Sequence, residues 1–336
     1  MLIFADSFDH YATADITKKW TLHDATITAT NGRRGSPSLR MIYVSSTAKS
    51  AQKTLSAKAS WIVGFSYRPT VLPPTASAII CSWLDVSTVQ CTLSLNTNGT
   101  LVLSGGGGTS TFALGANQEY YIEWKVTIAD SITAGSCKVR VNGVDVITAP
   151  AGADMKATAN ATADGFRFGA LNQQMTVDYD DLYICDQSGT TNNDFLGDIR
   201  VDTLFPNADG TYSQFTPSTG TNHSALVDEA TPNTTDYNFA LTPGLRDSYA
   251  FQDLPSLVSP IVYGVQVNAA LLKDDAGNKQ VALFTKTGAE NSDGATFALG
   301  TSQTYVSQIF ERNLNGTADW TQASVNAAEF GAKIVV

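Results

Sequence analysis

Residues 176–197 form the stretch that most constrains the fold of this chain. They begin with a strand-like segment that carries paired acids, continue through a run rich in Gly, Thr and Asn, and end on a second hydrophobic start at Phe195. A strand followed by a polar, turn-forming run closes one β-domain, and the hydrophobic start after it opens another. The chain has 336 residues, enough for two domains of ordinary size. We therefore predict domains over 1–187 and 197–336, joined by a linker over 188–196.

Period-two alternation with tight turns dominates the first domain. Asn98-Gly99 separates the alternating segments 93–95 and 101–103, and Asn142-Gly143 follows a second strand-like run. Asn-Gly tolerates the positive φ angles of a two-residue hairpin turn. Residues 105–108 are four consecutive glycines, which we interpret as a loop tip because the Lys of a phosphate loop does not follow and no helix pattern comes after them. Many short antiparallel strands with regular turns predict an all-β sandwich or barrel.

The second half differs in composition, with more Pro, Asn and Thr. Polar turns are expected at 207–210 and 231–236, a strand is expected at 199–202, and short helical turns are expected at 225–229 and 321–328. The remaining pattern is again strand-like. It predicts a smaller β-sandwich domain.

Charge excludes one class of partner. Charged residues make up 15% of the chain, against about 25% in an average globular protein, and the net charge is −10. Nucleic-acid binding requires clustered Lys and Arg to displace counterions. The densest basic spot is only Arg33-Arg34 with Arg40. We expect no nucleic-acid partner.

The apolar segments argue against membrane insertion. No apolar run reaches the roughly 18 residues that a membrane helix requires. The first residues lack a basic start and turn acidic at Asp6, so we expect no cleaved leader. Synthesis in a reducing cytoplasm fits this composition.

The four cysteines, Cys81, Cys91, Cys137 and Cys185, show no metal-ligand spacing. Three of them stand in apolar, strand-like surroundings, which favours buried free thiols. A disulfide between Cys81 and Cys91 across a hairpin remains the alternative.

Several segments together resemble a known family. The first domain resembles a concanavalin/laminin-G-like jelly roll, and the whole chain resembles tailed-bacteriophage virion proteins that begin with this domain. The segments that carry the resemblance are 6–11, Trp20, 119–123, 139–143 and 177–184 in the first domain, and 195–201, 204–207, 320–321 and 325–331 in the second.

The resemblance implies both a fold and a setting. The fold would be an antiparallel jelly-roll sandwich whose first and last strands pair, followed by a smaller β-sandwich for assembly. The protein would be a structural component of a virion, in the tail, the collar or the capsid surface, made in the cytoplasm of the bacterial host. Its partners would be copies of itself in a homo-oligomer, other virion proteins and a host cell-surface glycan.

Paired acids are the first candidate site. Asp178 and Asp180 have the i, i+2 spacing that puts two carboxylates on one face of a strand, as glycosidases require. They lie next to the domain boundary, however, and the Glu-x-Asp-x-x-Glu pattern of related glucanases is missing. We interpret them as structural acids and predict no catalytic residue.

Calcium is the alternative role for the acids, since it prefers six to eight oxygen ligands. If the two ends of the first domain pair, five carboxylates would converge there: Asp6, Asp9, Asp178, Asp180 and Asp181. No other cofactor is expected.

Aromatic and amide side chains are the candidates for a glycan surface. The five tryptophans stand in apolar context and are predicted to pack in the core. The loop residues Tyr212, Asn222, Asn233 and Tyr237 are the better candidates for contact with sugar.

No nucleophilic set is visible, because His10, His23 and His223 are isolated in sequence. We therefore predict a protein that is not an enzyme. The alternatives are a free-standing carbohydrate-binding lectin and, third, a glycan hydrolase that uses Asp178 and Asp180.

Overall fold

The computed structural model describes residues 1–43, 48–171 and 173–336. They form two compact units, Met1–Val201 and Asp202–Val336, and both are built from antiparallel β-sheets, which confirms the all-β prediction. The boundary follows Val201, so the predicted linker over 188–196 belongs to the first unit. The reason is that the chain after residue 193 is hydrogen-bonded onto a sheet of that unit.

In the described part of the first unit, one short helix, α1 (Ile16–Lys19), accompanies fifteen strands. Two 3-10 turns cover Thr13–Asp15 and Arg33–Gly35. The strands are β1 (Leu2–Asp6), β2 (Leu22–His23), β3 (Thr26–Thr28), β4 (Ser38–Tyr43), β5 (Lys49–Lys58), β6 (Ser60–Pro69), β7 (Ala78–Asp85), β8 (Thr88–Leu95), β9 (Thr100–Leu103), β10 (Gly108–Ala113), β11 (Tyr120–Thr127), β12 (Lys138–Val141), β13 (Val144–Thr148), β14 (Ala163–Leu171) and β15 (Met175–Asp186).

These strands divide into two sheets. Among the described residues, the eight-stranded sheet has the order β13-β12-β11-β6-β15-β4-β3, with β1 also paired to β15. The seven-stranded sheet has the order β10-β9-β8-β7-β14-β5-β2. Consecutive strands β14 and β15 lie in different sheets, and so do β4 and β5. Such crossings between two antiparallel sheets are typical of a jelly-roll sandwich.

The two ends of the first domain pair, as predicted. Leu2 lies opposite Cys185, and Asp6 lies opposite Leu182, in an antiparallel ladder with one bulge. Because β15 also pairs with β4 and β6, the first strand is anchored to the middle of the eight-stranded sheet.

Aromatic side chains fill the space between the two sheets. Trp61 of the eight-stranded sheet stacks on Trp83 of the seven-stranded sheet, with ring centroids 4.9 Å apart. Phe168 and Tyr179 make a second contact between the sheets at 4.2 Å. All five tryptophans are at most 3% exposed, which confirms their predicted core positions. All four cysteines are buried free thiols.

The predicted Asn-Gly turns connect the expected hairpins. Gly99, between β8 and β9, has a φ angle of +84°, and Asn142 and Gly143, between β12 and β13, have φ angles of +50° and +78°. Positive φ at both central residues is the requirement of a type I′ turn, so Asn142-Gly143 forms the two-residue turn that was predicted. Asn98-Gly99 instead ends a four-residue loop over 96–99, in which only Gly99 of the pair has a positive φ.

The second unit contains nine strands in its described residues. They are β16 (Pro206–Ser213), β17 (Thr216–Pro217), β18 (Asn238–Phe239), β19 (Arg246–Phe251), β20 (Val265–Leu271), β21 (Gln280–Thr287), β22 (Glu290–Ala298), β23 (Thr304–Phe310) and β24 (Glu329–Ile334). The short elements are helix α2 (Gln322–Asn326) and 3-10 turns at Ser224–Leu226 and Leu314–Gly316.

A five-stranded sheet, β16-β19-β24-β21-β22, packs with the pair β20-β23 around one core. The core residues are Val267, Leu283, Val306, Phe310, Trp320, Val325, Ala328 and Phe330. The short helical turns near 225 and 322 are present as predicted. No helix among the described residues is long and apolar enough to cross a membrane.

Two predictions for the second half were wrong. Residues 207–210 lie inside β16 instead of forming a turn, because Gly210 allows close contact with Ser248 and Glu329 of the neighbouring strands. Residues 199–202 are not a strand, because their backbone bonds to side chains of the first unit instead of joining a ladder.

A buried ion pair anchors the start of the chain. Asp6 and Lys19 approach to 3.2 Å, with both side chains at most 1% exposed. Tyr11 and Trp20 also donate to the Asp6 carboxylate, at 2.7 and 2.9 Å. Burial by itself would raise the pKa of Asp6, but Lys19 and these hydrogen bonds hold it below its ordinary value.

Replacing Asp6 with Ala should destabilise the first unit by about 3–5 kcal/mol, because the Lys19 charge would remain buried without its partner. Urea denaturation followed by tryptophan fluorescence measures this change. The contribution of Asp6 is present above a pH of about 4 and is lost as the pH falls through its lowered pKa. The control is Asp145→Ala, which breaks the more exposed pairs with Lys138 and Arg140 and should cost about 1 kcal/mol or less. Equal costs for the two variants would contradict this account.

Candidate functional site

A row of polar side chains crosses the outward side of the seven-stranded sheet. On β14, Phe166 and Phe168 are fully buried in the core, so strand alternation points Arg167 to the opposite side. Arg167 lies opposite Gln52 of β5 and opposite Ser82 of β7. Ser82 in turn lies opposite Thr92 of β8. We call these four residues, Gln52, Arg167, Ser82 and Thr92, the polar row.

The centre of the polar row contains two unmet hydrogen-bonding groups. The Nε atom of Arg167 and the Oγ atom of Ser82 are buried without a hydrogen-bond partner among the described residues. Both belong to one cross-strand pair. Leaving a buried polar group unpaired costs about 1–3 kcal/mol. Both atoms lie below the solvent-accessible surface, whereas the Arg167 side chain as a whole is partly exposed. A ligand from solution can therefore reach only the exposed part of Arg167.

Arg167 also lacks an ionic partner. None of the described carboxylates forms a salt bridge with it, and partial burial lowers its pKa from the ordinary value. A guanidinium stays charged at any physiological pH and presents a planar fork of N–H donors. An uncompensated, half-buried Arg is therefore a specific binding group for a carboxylate or another planar anion.

Ordered turns border the polar row. The Val86 carbonyl, in the turn after β7, accepts a hydrogen bond from Gln52 at 3.5 Å, and its amide donates to Asp164 at 2.6 Å. Asp85 accepts from Thr158 and Asn160, which fixes the neighbouring loop. The row thus lies beside backbone that is held in place by side-chain hydrogen bonds, as a preorganised binding surface requires.

The five acids proposed as calcium ligands do not gather at one point. Among the described residues, no group of three or more His, Cys, Asp or Glu side chains is arranged to hold a metal ion. Asp6 pairs with Lys19, and Asp178 binds Arg40 and Arg68 at 2.7 and 2.9 Å. The Asp9 side chain is not part of such a group either. Cations and hydroxyl groups, rather than a shared metal, compensate the buried carboxylates.

Asp180 and Asp181 have different surroundings although they are adjacent. Asp181 binds Arg33 and Arg34 at 3.1 and 2.7 Å. Asp180 accepts from the Arg33 amide and the Ser36 hydroxyl. Burial, together with the nearby charge of Asp181, raises the pKa of Asp180 to about 8. Asp178 and Asp180 share one face, as the spacing predicts, but the arginines on Asp178 make it an ion-pair residue.

The four residues proposed for glycan contact have different surroundings. Tyr212 packs edge-on against Phe284 and its hydroxyl accepts from Asn291. The Asn222 and Asn233 side chains bond within their own turns. Tyr237, at 49%, and Asn222 are exposed, whereas Tyr212 and Asn233 are partly buried. Turn formation accounts for the two asparagines, and packing accounts for Tyr212.

The His223–Asp247 pair and Arg167 are two polar features that the sequence alone did not predict. His223 Nδ1 lies 2.6 Å from Asp247 Oδ2, a pairing that sequence separation hides. Asp247 is fully buried and also accepts from the Gln214 and Phe215 amides, so the pair ties segments of the second unit together. The outward position of Arg167 was not predicted either. The pattern that indicates it is a single Arg between two Phe in a strand-like segment.

Comparisons with known proteins give only distant similarities. No protein-family model matches the chain, and a search of curated proteins gives no match. Among solved structures, a cellulose-induced protein is 13% identical with a TM-score of 0.41, over 54% of this chain and 96% of its own. An alginate lyase in complex with alginate tetrasaccharide is 10% identical with a TM-score of 0.37, over 54% and 95%.

A sialidase of Trypanosoma rangeli is 11% identical with a TM-score of 0.34, over 48% of this chain and only 27% of its own. Two of these similar structures, the alginate lyase and the sialidase, are named for an activity on a glycan. Two of the three are enzymes, and this finding contradicts the prediction that the chain is not an enzyme. None of the three is a virion protein, so the virion prediction gains no support from them.

The raised pKa of Asp180 predicts a pH dependence of stability. Between a pH of about 4 and about 8, the folded chain keeps a proton on Asp180 that the unfolded chain releases, so the free energy of unfolding falls as the pH rises. Replacing Asp180 with Asn should remove this part of the slope, because an amide does not titrate. Urea denaturation of both proteins at several pH values measures it. Asp145→Asn is the control and should leave the slope in this range unchanged, and an Asp180→Asn slope equal to that of the wild type would refute the assignment.

Proposed function

We propose that the first unit binds a glycan that carries carboxylate groups, and that the polar row on the seven-stranded sheet is the binding surface. The observation that supports this most directly is the partly exposed side chain of Arg167, which has no ionic partner among the described residues. A carboxylate on Arg167 would form a charge-assisted, bidentate contact. Sugar hydroxyls would be matched by the side chains of Gln52 and Thr92, which are also partly exposed.

The net charge of the chain favours a short acidic oligosaccharide over a long polyanionic chain. The chain carries a net charge of −10, which repels polyanions at long range. One half-buried guanidinium in a row of neutral polar groups suits one carboxylate at a time, flanked by hydroxyl groups. Uronate and sialate saccharides have this chemistry. Alginate and sialic acid, the ligands bound in two of the similar structures, are convenient probes of the two types.

The composition of the polar row also distinguishes this proposal from recognition of neutral sugar. Neutral sugars usually stack on an aromatic side chain, because aromatic rings supply apolar area together with specific geometry. The row consists of one Arg, one Gln, one Ser and one Thr. Its contribution to binding is therefore hydrogen bonding and charge.

Replacing Arg167 with Ala should weaken binding of alginate oligosaccharides about 10- to 100-fold, the range expected for loss of hydrogen bonds to a charged group. Isothermal titration with alginate tetrasaccharide, sialic acid and cellotetraose measures the affinities. Cellotetraose should bind weakly to both proteins. The same mixtures, analysed by mass spectrometry for shortened oligosaccharides, show whether the bound glycan is also cleaved.

Arg140→Ala is the matched control. Arg140 lies on β12 of the other sheet and should not affect glycan affinity. Equal binding by wild type and Arg167→Ala, or tighter binding of cellotetraose than of the acidic saccharides, would rule out the polar row as the site.

A specific observation favours a second role, self-association through the second unit. Apolar side chains are exposed there in two short segments: Tyr237, Phe239 and Leu241 at 41–74%, and Leu257, Val258 and Ile261 at 47–98%. Contiguous exposed apolar residues on a water-soluble chain commonly mark an interface. These residues support the homo-oligomer inferred from the sequence, whereas membership of a virion rests on the sequence resemblance alone.

The double substitution Val258→Asp and Ile261→Asp should shift the chain from an oligomer to a monomer, because an interface does not accommodate unpaired charge in its centre. Light scattering coupled to size-exclusion chromatography measures the molar mass. The control is Val144→Asp, at an apolar position of the first unit that is 65% exposed. A wild-type chain that is monomeric at all accessible concentrations would end this proposal.

A further inference from the structure

Residues 194–201, which we call the strap, lie on the outward side of the eight-stranded sheet with the contacts of a bound peptide. The Leu196 amide donates to the Tyr183 hydroxyl at 3.1 Å, and the Gly197 amide donates to Glu123 at 2.8 Å. The Val201 amide donates to Asp181 at 2.8 Å. The strap backbone is therefore recognised by side chains of the sheet, without the ladder hydrogen bonds of an added strand.

The side chains of the strap are recognised as well. Asp194 forms an ion pair with Lys125 at 3.0 Å, and Asp198 forms one with Arg33 at 2.8 Å. The Phe195 ring lies 4.2 Å from the guanidinium carbon of Arg140. Two acids and an aromatic ring thus face three cations, which is the charge complementarity of a specific interface.

The surface beneath the strap is built as a groove. Gly64 of β6 lies between Glu123 of β11 and Tyr183 of β15. A Cβ atom at position 64 would come within 2.1 Å of the Tyr183 ring, so only glycine lets that ring lie flat across the sheet toward Glu123. The Glu123 carboxylate is fully buried, and its Oε2 atom has no hydrogen-bond partner among the described residues. Burial raises the pKa of Glu123.

The strap is also the last part of the first unit. The chain leaves the groove at Val201, and the second unit begins at Asp202. A strap that left its own groove and entered the groove of another copy would therefore link two chains. Exchange of an identical element between copies is a low-cost route to a dimer, because each contact is replaced by the same contact.

We propose that this groove, formed by Lys125, Glu123, Arg140, Tyr183 and Arg33, is a peptide-binding site whose second occupant is the strap of another copy of this chain. At low concentration the strap of the same chain fills it, because tethering gives that strap an effective concentration in the millimolar range. Exchange between copies follows when the chain is concentrated, or when its own strap is weakened.

Gly197 provides the means to test the groove. Its φ angle is +85°, and its amide is the donor to Glu123. Proline fixes φ near −65° and has no amide hydrogen, so Gly197→Pro should release the strap. A fluorescent, end-capped synthetic peptide of residues 193–202 is titrated into the full-length wild type and the full-length Gly197→Pro chain, with fluorescence anisotropy as the readout. The peptide should bind the variant at least about 100-fold more tightly than the wild type, since the tethered competitor is gone.

Two further peptides set the specificity. A peptide that carries the same Gly197→Pro change, and a scrambled peptide of identical composition, should not bind the variant chain. Equal binding of the scrambled peptide, or equal affinity of the natural peptide for both chains, would overturn the proposal.

A charge-reversed pair tests exchange without a proline and covers the case in which Gly197→Pro fails to fold. In the Lys125→Glu chain, Asp194 of the strap faces a glutamate in its own groove. In the Asp194→Lys chain, the new lysine of the strap faces Lys125 in its own groove. When the two full-length variants are mixed, exchange of straps restores both ion pairs, so native mass spectrometry should show a mixed dimer that exceeds either self-dimer. The corresponding mixture of Lys156→Glu and Asp130→Lys, an ion pair outside the groove, should show no such excess. Mixed dimers in neither mixture, or equally in both, would contradict exchange of the strap.

Discussion

The alternation of side chains along β14 determines both the core and the proposed site of the first unit. Phe166 and Phe168 point inward and contact the aromatic residues of the opposite sheet, with Phe65 and Phe168 centroids 5.0 Å apart. Arg167, between them, must point to the opposite face, because a one-residue shift would exchange the core face with the solvent face. Arg167 therefore stands at the centre of the outward face as a consequence of core packing. The same constraint places its cross-strand neighbour Ser82 beside it.

The two sheets of the first unit differ in which groups bond to the polar side chains on their outward faces. On the eight-stranded sheet, Glu123, Tyr183 and Asp181 receive hydrogen bonds from the chain itself, through residues 196–201. On the seven-stranded sheet, the described residues supply no acceptor for Arg167 Nε or Ser82 Oγ. Residues 196–201 thus cover part of the first face as an internal interface does, although Glu123 Oε2 has no hydrogen-bond partner among the described residues. On the second face the partly exposed Arg167 side chain has no such cover from the described chain, which suits a site for a ligand from solution.

Local patterns predicted much of the fold. Gly99 and the pair Asn142-Gly143 determine their hairpins through φ angles that few residues accept, and the acidic start and end of the first domain pair as expected. The failures involve contacts between residues far apart in sequence. Residues 207–210 have the composition of a turn, but the absence of a side chain at Gly210 leaves room for the carboxylate of Glu329, 119 positions away. The calcium hypothesis failed to anticipate that Arg40 and Arg68 would reach Asp178. Arg167 was missed because only the register with β5 and β7 shows that it has no acidic neighbour.

The most direct measurement of the central claim is the NMR signal of the Arg167 Nε–H group during titration with alginate tetrasaccharide. A carboxylate that binds the exposed part of the Arg167 guanidinium changes the chemical shift of the Nε–H group, because the positive charge is delocalised over all three guanidinium nitrogens. The account predicts that this signal moves in proportion to saturation, while the Nε–H signals of Arg40 and Arg140, which already donate to Asp178 and Asp145, stay in place. An unmoved Arg167 signal at saturation, with shifts confined to other arginines, would contradict it.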